Sequence, residues 1–202
     1  NYIKIREPGG NISSEKISEC INKSNIGFMF APNHHSAMKY VGPVRQRLGV
    51  RTIFNLLGPL SNPASVKKQL IGVFDKKWLT PIAETLKNLG STRAMVVNGS
   101  DGLDEITTTG ISYIAELKNN KVFSYEINPS DFDIAISDPS SLVGGEPSEN
   151  AKKISNLLEG EKGSFRDIVL LNSAAALYVD GLASDIKEGI KLSNQSIDKG
   201  LA

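Results

Sequence analysis

The sequence predicts an α/β protein, with a central, mostly parallel sheet flanked by helices and an antiparallel hairpin joined to it. Three observations lead to this class: a strand–helix–strand run at βαβ spacing, two short strands flanking an Asn-Asn turn, and three closing helices. In chain order the segments are strand 69–74, helix 78–89, strand 94–97, hairpin strands 112–117 and 122–127, and helices 149–158, 165–179 and 184–199. We expect residues 1–202 to form a single domain.

Caps and helix breakers predict the elements of the first sixty residues. Ser13 is typical of a helix N-cap, and the helix that follows would bury Ile17, Cys20 and Ile21. The apolar run from Ile26 to Phe30 predicts a buried strand. The remaining predictions here are a strand over 2–5, a helix that ends at Gly49, a short helix capped by Thr52, and turns at Gly58-Pro59 and Asn62-Pro63.

The composition excludes several classes of function. The chain has 202 residues, 40% of them hydrophobic, and a net charge of +1, so no general attraction to nucleic acid or to anionic membranes is implied. Its single cysteine, Cys20, excludes an intramolecular disulfide and fits a reducing, cytoplasmic compartment. The longest apolar stretch, residues 168–179, is interrupted by Asn172 and Ser173 and is too short to span a bilayer.

Two adjacent carboxylates, Asp104 and Glu105, follow the predicted strand 94–97 in a glycine-rich segment. Mg²⁺ prefers one or two carboxylates together with water and substrate phosphates, so a magnesium site is one interpretation. A solvated acidic turn or a helix cap is the other. Asp101 lies nearby and is either a further ligand or a cap.

A second polar cluster, residues 28–45, holds both histidines, His34 and His35, and ends at Arg45. Zinc is disfavoured because the one cysteine is not placed to complete a ligand set. The histidines therefore either line a polar pocket or cap the helix that follows. A guanidinium such as that of Arg45 can bind a carboxylate through two parallel hydrogen bonds, but a surface position is the plain alternative.

Taken together, these segments resemble the anthranilate phosphoribosyltransferase family, whose members join anthranilate to phosphoribosyl pyrophosphate in tryptophan synthesis. The resemblance covers essentially the whole chain and is weakest between Ser124 and Ser164. It implies the large α/β domain of the nucleoside phosphorylase/phosphoribosyltransferase type. The matching segments are residues 28–39, 43–45, 51–64, 99–106 and 171–178.

The resemblance assigns roles to particular residues. Arg45 matches the arginine that binds the anthranilate carboxylate, and His35 with Gly58 and Pro59 matches positions that line the anthranilate channel. Asp104 and Glu105 match the acidic pair that holds Mg²⁺ on the diphosphate. No covalent intermediate is implied, and no catalytic nucleophile is assigned. Asn98 departs from the histidine that is common at its position.

The family's glycine-rich phosphate loop, its Lys-His-Gly-Asn segment and its helical part do not occur in this sequence. We therefore expect this chain to be the carboxyl-terminal portion of the enzyme and to be inactive by itself. The intact enzyme is expected to be a cytoplasmic homodimer whose dimer contacts lie mostly in the other part. It would bind anthranilate and phosphoribosyl pyrophosphate, with neither nucleic acid nor a membrane as partner.

Two alternatives stay open on the sequence. A pyrimidine nucleoside phosphorylase-like enzyme shares the broad fold, but it does not need an arginine facing a carboxylate. A non-catalytic relative that binds nucleic acid would be expected to carry a basic face and to lack the acidic pair. The net charge of +1 and the presence of Asp104 and Glu105 speak against the second alternative.

Overall fold

A computed structural model describes residues 13–29, 47, 49, 53–62 and 64–202. The chain divides into two compact units, Asn1–Pro63 and Ala64–Ala202. The single domain expected over residues 1–202 stays a prediction. The predicted strand 2–5 and the end of the predicted helix before Gly49 lie outside the described residues.

The first unit contains helix α1, Ser14–Ser24. Ser13 is its N-cap, as predicted, and its hydroxyl accepts a hydrogen bond from the Lys16 N–H at 3.3 Å. Of the predicted buried stripe, Ile17 is buried and Cys20 is half-buried, whereas Ile21 is 41% exposed. The helix ends at Ser24, and the next residue, Asn25, adopts the left-handed conformation that is common just after a helix.

The strand predicted over residues 26–30 is wrong for the residues that the structure describes. Residues 26–29 form no regular structure, and Ile26 and Phe28 are 69% and 61% exposed. An apolar run forms a strand only when a neighbouring strand satisfies its backbone groups. No strand is present among the described residues of this unit.

A short helix, α2, spans Phe54–Leu60. Ile53 precedes it without a side-chain cap, and Thr52, the predicted cap, lies outside the described residues. Gly58 and Pro59 were predicted to form a turn, but both lie in the last turn of α2. Because Pro59 has no N–H, α2 lacks one of its i→i−4 hydrogen bonds, and the helix ends one residue later, at Leu60.

The second unit is built on a four-stranded sheet in the order β1-β2-β3-β4. The strands are β1 (Lys68–Gly72), β2 (Arg93–Gly99), β3 (Ser112–Lys118) and β4 (Lys121–Ile127). Helix α3 (Leu79–Asn88) connects β1 to β2, which pair in parallel and confirm the predicted βαβ unit.

The remaining two pairings, β2–β3 and β3–β4, are antiparallel. The α/β class is confirmed, but the sheet over the described residues is mixed, whereas the sequence predicted a mostly parallel one. The reason is the connection from β2 to β3, which contains no crossover helix and therefore returns the chain antiparallel.

The turn between β3 and β4 confirms the predicted hairpin. Asn119 and Asn120 have φ angles of 52° and 60°. Positive φ at both central residues defines a type I′ turn, whose twist matches that of the two strands.

Three helices close the chain: α4 (Pro147–Leu158), α5 (Ser164–Asp180) and α6 (Ile186–Asp198). The middle one, α5, is central as predicted, because Leu171, Ala174 and Ala175 pack in one core with Met95 and Val97 of β2. Among the described residues, no helix is both long and apolar enough to cross a membrane.

Candidate active site

The predicted metal ligands lie on the loop that leaves the carboxyl end of β2 and leads into β3. We call residues 100–111 the acidic loop. Asp104 and Glu105 are exposed at its middle. Since β1 and β2 run in parallel, both end at this edge of the sheet, and ligands of open α/β sheets bind at that edge.

Asp101 organises the loop from within. Its Oδ1 accepts a hydrogen bond from the Leu103 N–H at 3.1 Å, and its Oδ2 accepts from the hydroxyls of Thr107 at 2.5 Å and Thr109 at 2.6 Å. Partial burial works to raise the pKa of Asp101, but these hydrogen bonds outweigh burial and hold the pKa below its usual value. Gly102 supplies the positive φ, 89°, that the turn requires.

The buried side chain of Asn98 ties the loop to the strand ends. Its Nδ2 donates to the carbonyl of Val73, just beyond β1, at 2.8 Å and to the carbonyl of Leu103 at 3.3 Å. The Leu103 carbonyl also accepts from the Gly99 N–H at 2.8 Å. One amide therefore connects the chain after β1, the end of β2 and the loop.

Helix α5 holds the loop just after the acid pair. Asn172 accepts from the Ile106 N–H at 2.9 Å and donates to the Ile106 carbonyl at 2.8 Å. Ile106 and Thr107 are fully buried, so the chain enters the core directly after Glu105. The Thr107 N–H donates to the Ser112 hydroxyl at 2.9 Å. The backbone beside the acids is therefore fixed to the core.

The loop also packs directly on β1. A Cβ added to Gly72 would stand 1.5 Å from the carbonyl oxygen of Asp104 and 2.5 Å from its carbonyl carbon. No side chain fits in that space. Glycine at the end of β1 is thus a condition for the observed position of Asp104.

The carboxylates of Asp104 and Glu105 form no hydrogen bond or ion pair with the rest of the described chain. Partial burial raises the pKa of Glu105, and the negative charge of Asp104 raises it further. A cation placed between the two groups would relieve this repulsion. The pair is thus chemically suited to a divalent ion.

Two adjacent carboxylates fit an Mg²⁺ ion that takes its remaining ligands from water and phosphate oxygens. Within the described residues, no cluster of three or more His, Cys, Asp or Glu side chains is arranged to hold a metal ion. The described part of the chain therefore offers two carboxylates, and water and phosphate oxygens would complete the octahedron that Mg²⁺ prefers.

Residues 10–202 match the model of the glycosyl transferase family, a/b domain. The chain belongs to this family. It is 54% identical over 192 residues to the anthranilate phosphoribosyltransferase of Rhodopseudomonas palustris (strain TIE-1), a match that covers 95% of this chain and 57% of the relative. It is also 54% identical over 192 residues to the enzyme of that name from Parvibaculum lavamentivorans, covering 95% of this chain and 56% of the relative.

Solved structures of anthranilate phosphoribosyltransferases are also similar to this chain. Anthranilate phosphoribosyltransferase from Thermus thermophilus has a TM-score of 0.84 and 40% identity, covering 91% of this chain and 54% of the other. The Saccharomyces cerevisiae enzyme in complex with phosphoribosyl pyrophosphate and Mg has a TM-score of 0.85 and 27% identity, covering 94% of this chain and 55% of the other. The chain thus spans somewhat more than half the length of these relatives.

The described residues cover only part of the predicted site. Arg45, His34 and His35 lie outside the described residues. Gly58 and Pro59 belong to the first unit, whereas the acid pair belongs to the second. The cleft expected to join Arg45 with the acids, and the metal role of the acids themselves, stay predictions for this family member.

Sequence reasoning missed four residues that shape the acidic loop: Gly72, Asn98, Asp101 in its loop-organising role, and Asn172. Asn172 carried a signal, because a lone polar amide within an apolar helix has to find a partner. Asn98 stood out only as a departure from the family pattern. The sequence contained no sign of the contact between Gly72 and Asp104, since they come close only when β1 and the loop pack together.

Proposed function

We propose that this chain is part of an enzyme that transfers the phosphoribosyl group of phosphoribosyl pyrophosphate to anthranilate, in tryptophan biosynthesis. One observation carries the proposal: Asp104 and Glu105, without a partner in the described chain, stand on an anchored loop at the carboxyl end of parallel strands. The family membership and the names of its relatives support the choice of substrates. The yeast relative solved with phosphoribosyl pyrophosphate and Mg supports Mg²⁺ as the cation.

In the proposed reaction the amine nitrogen of anthranilate bonds to C1 of the ribose as the bond from C1 to the diphosphate oxygen breaks. Diphosphate leaves with the bonding electrons, and the amine loses a proton. Because an aromatic amine is a weak nucleophile, C1 develops positive charge before the new bond is complete, as in glycoside cleavage. Departure of the diphosphate is therefore the step that the enzyme must assist.

The residues divide this work between them. Asp104 and Glu105 would hold the ion, and Mg²⁺ bound there would supply positive charge to the departing diphosphate. Arg45 is proposed to fix the anthranilate carboxylate with two parallel hydrogen bonds, so that the amine faces C1. His35, Gly58 and Pro59 are proposed to line the anthranilate channel. No side chain of this chain is proposed as a nucleophile.

The proposal extends to the form of the intact enzyme. We propose a homodimer with dimer contacts mostly outside this chain, in a cytoplasmic setting that the single cysteine supports. Since the chain spans about 57% of the Rhodopseudomonas palustris relative, little or no transferase activity is expected of the 202 residues alone. Full activity is expected only of a protein with the whole family length.

The test is steady-state kinetics on the full-length protein that contains this chain. Arg45→Ala should raise KM for anthranilate strongly and change KM for phosphoribosyl pyrophosphate little, because only one substrate meets the guanidinium. Asp104→Asn combined with Glu105→Gln should lower turnover by more than about 100-fold. Residues that only hydrogen-bond to a metal ligand typically cost about 10- to 100-fold when they are changed. Asp185→Asn, which changes an exposed aspartate at the start of α6, is the control and should have no effect.

Three results would count against the proposal. Equal effects of Arg45→Ala on both substrates would refute the role of the arginine. Undiminished turnover of the double acid variant at ordinary Mg²⁺ would refute the metal role. Nucleoside phosphorolysis without any anthranilate binding in a fluorescence titration would favour the phosphorylase alternative, and salt-dependent DNA binding at physiological ionic strength would favour the nucleic-acid alternative.

A further inference from the structure

The acidic loop contains a third carboxylate, that of Asp101, whose surroundings differ from those of Asp104 and Glu105. Both oxygens of Asp101 are already in use: Oδ1 accepts from one backbone N–H and Oδ2 from two hydroxyls. A carboxylate that coordinates a metal must turn oxygen lone pairs toward the ion. Asp101 turns its oxygens toward the loop itself, whereas the two neighbouring acids bond to nothing else in the described chain.

The partners of Asp101 lie on both sides of the acid pair. Leu103 comes directly before Asp104, and Thr107 follows Glu105 by two residues. The side chain of Asp101 therefore accepts hydrogen bonds from the backbone just before the acid pair and from two side chains just after it. In addition, the Thr107 hydroxyl accepts from the N–H of Thr109 at 3.0 Å, which closes a second small ring beside the carboxylate.

This arrangement connects the exposed acids to the core. Thr107 is fully buried, and its hydroxyl reaches Asp101 at 2.5 Å. Side-chain hydrogen bonds to an ionised carboxylate are shorter and stronger than those between neutral groups. Asp101 thus joins the exposed half of the loop to the half that lies in the core.

We propose that Asp101 is a positioning residue: it holds Thr107 and Thr109 so that Asp104 and Glu105 present their carboxylates together to a metal-bound diphosphate. The inference rests on the proposed function for its ligand. Ligands of a metal site must be held to within about 0.5 Å. A loop that lost the links through Asp101 would let the two acids spread, although both would still be present.

Two variants and one control separate positioning from metal ligation. Asp101→Ala removes the acceptor, whereas the double variant Thr107→Val/Thr109→Val removes the two hydroxyl donors and keeps the Leu103 N–H and all three carboxylates. Asp185→Ala is the matched control, because Asp185 is an exposed aspartate that accepts the Glu188 N–H at 2.8 Å at the start of α6, with no hydrogen bond to the acidic loop. Each is made in the full-length protein that contains this chain, and thermal melting identifies the temperature range in which all variants are folded.

Two measurements are made on each variant. Calorimetric titration with Mg²⁺ in the presence of inorganic diphosphate reports on the acids, with Asp104→Asn/Glu105→Gln as the reference for a lost site. Amide hydrogen exchange of residues 100–111 reports on the loop without any ligand. Asp101→Ala and the threonine pair should each weaken Mg²⁺–diphosphate binding by about 10- to 100-fold and speed exchange at Leu103 and Thr109, and the control should do neither.

Different results overturn different statements. Weakened binding in Asp101→Ala with unchanged binding in the threonine pair would make Asp101 a direct ligand and refute positioning. Unchanged exchange over the loop in both variants would refute it without reference to any ligand. If Asp104→Asn/Glu105→Gln binds Mg²⁺–diphosphate as tightly as the wild type, the metal role of these two acids in the proposed function is refuted. The proposal that Asp101 positions a metal site is then refuted as well.

Discussion

Substituting Gly72 by alanine is the most direct test of how the fold positions the acid pair. The added Cβ would lie 1.5 Å from the carbonyl oxygen of Asp104, whereas carbon and oxygen in close non-bonded contact stay about 3.3 Å apart. The backbone at Asp104 or the end of β1 must therefore shift by about 2 Å to reach that separation. Neither stretch of backbone can rotate out of the way as the end of a flexible side chain can.

The expected cost follows from this geometry. Forcing an extra group into a packed site typically costs about 1–3 kcal/mol, and a clash with backbone belongs at the upper end, about 3 kcal/mol. For a chain of this size that corresponds to a fall in Tm of roughly 6–12 °C. A shift of about 2 Å also exceeds the roughly 0.5 Å within which a functional group must be held, so Mg²⁺–diphosphate binding should fall as well.

The assay is urea unfolding followed by circular dichroism, together with calorimetric titration of Mg²⁺ in the presence of inorganic diphosphate. Gly144→Ala is the matched control, because its new Cβ would approach only the side chain of Asn150, at an ordinary 3.5 Å. The control should stay within about 0.5 kcal/mol of the wild type. If Gly72→Ala proves as stable as Gly144→Ala and binds the ion as tightly, the steric reasoning is refuted.

Three further predictions concern other parts of the second unit. Asn172→Ala should lower the free energy of unfolding by about 2 kcal/mol in urea, because the buried N–H of Ile106 loses its acceptor; an unchanged midpoint would contradict this. The hydrogen bond from Arg166 lowers the pKa of Asp198, so its stabilisation should be present above the ordinary aspartate pKa of about 4 and disappear as the pH falls through the folded-state value. Urea midpoints measured across that acid range should fall less steeply in Asp198→Asn than in the wild type, and parallel curves would refute the assignment. Burial and an adjacent carboxylate raise the pKa of Tyr125, so Tyr125→Phe should leave the phenolate absorbance change near pH 10, about where exposed tyrosines titrate, unaltered; a smaller change would count against it.

Local patterns predicted the elements whose stabilising contacts are local in the chain. The helix cap at Ser13 and the turn at Asn119-Asn120 need only a side chain and its nearest backbone, and both are confirmed. The βαβ unit and the closing helices also follow from spacing and periodicity. The apolar run 26–29 fails as a strand because pairing depends on residues elsewhere, which hydrophobicity alone does not reveal.

For the candidate site too, the sequence revealed some features and not others. The sequence alone identified the residues that are proposed to carry the chemistry, because the adjacent acids Asp104 and Glu105 and the arginine at position 45 match a family pattern. It also determined the edge of the sheet at which the acids lie, because they directly follow a strand of a βαβ unit.

Only the tertiary structure decided how the acids are held. The contact between Gly72 and Asp104 joins positions 32 residues apart, and the bonds between Asn172 and Ile106 span 66 residues. Such contacts depend on strand register and on which turn of α5 meets the loop, and both are set by the packing of the whole core. The chemical groups are thus encoded locally, whereas their positions are a product of the complete fold.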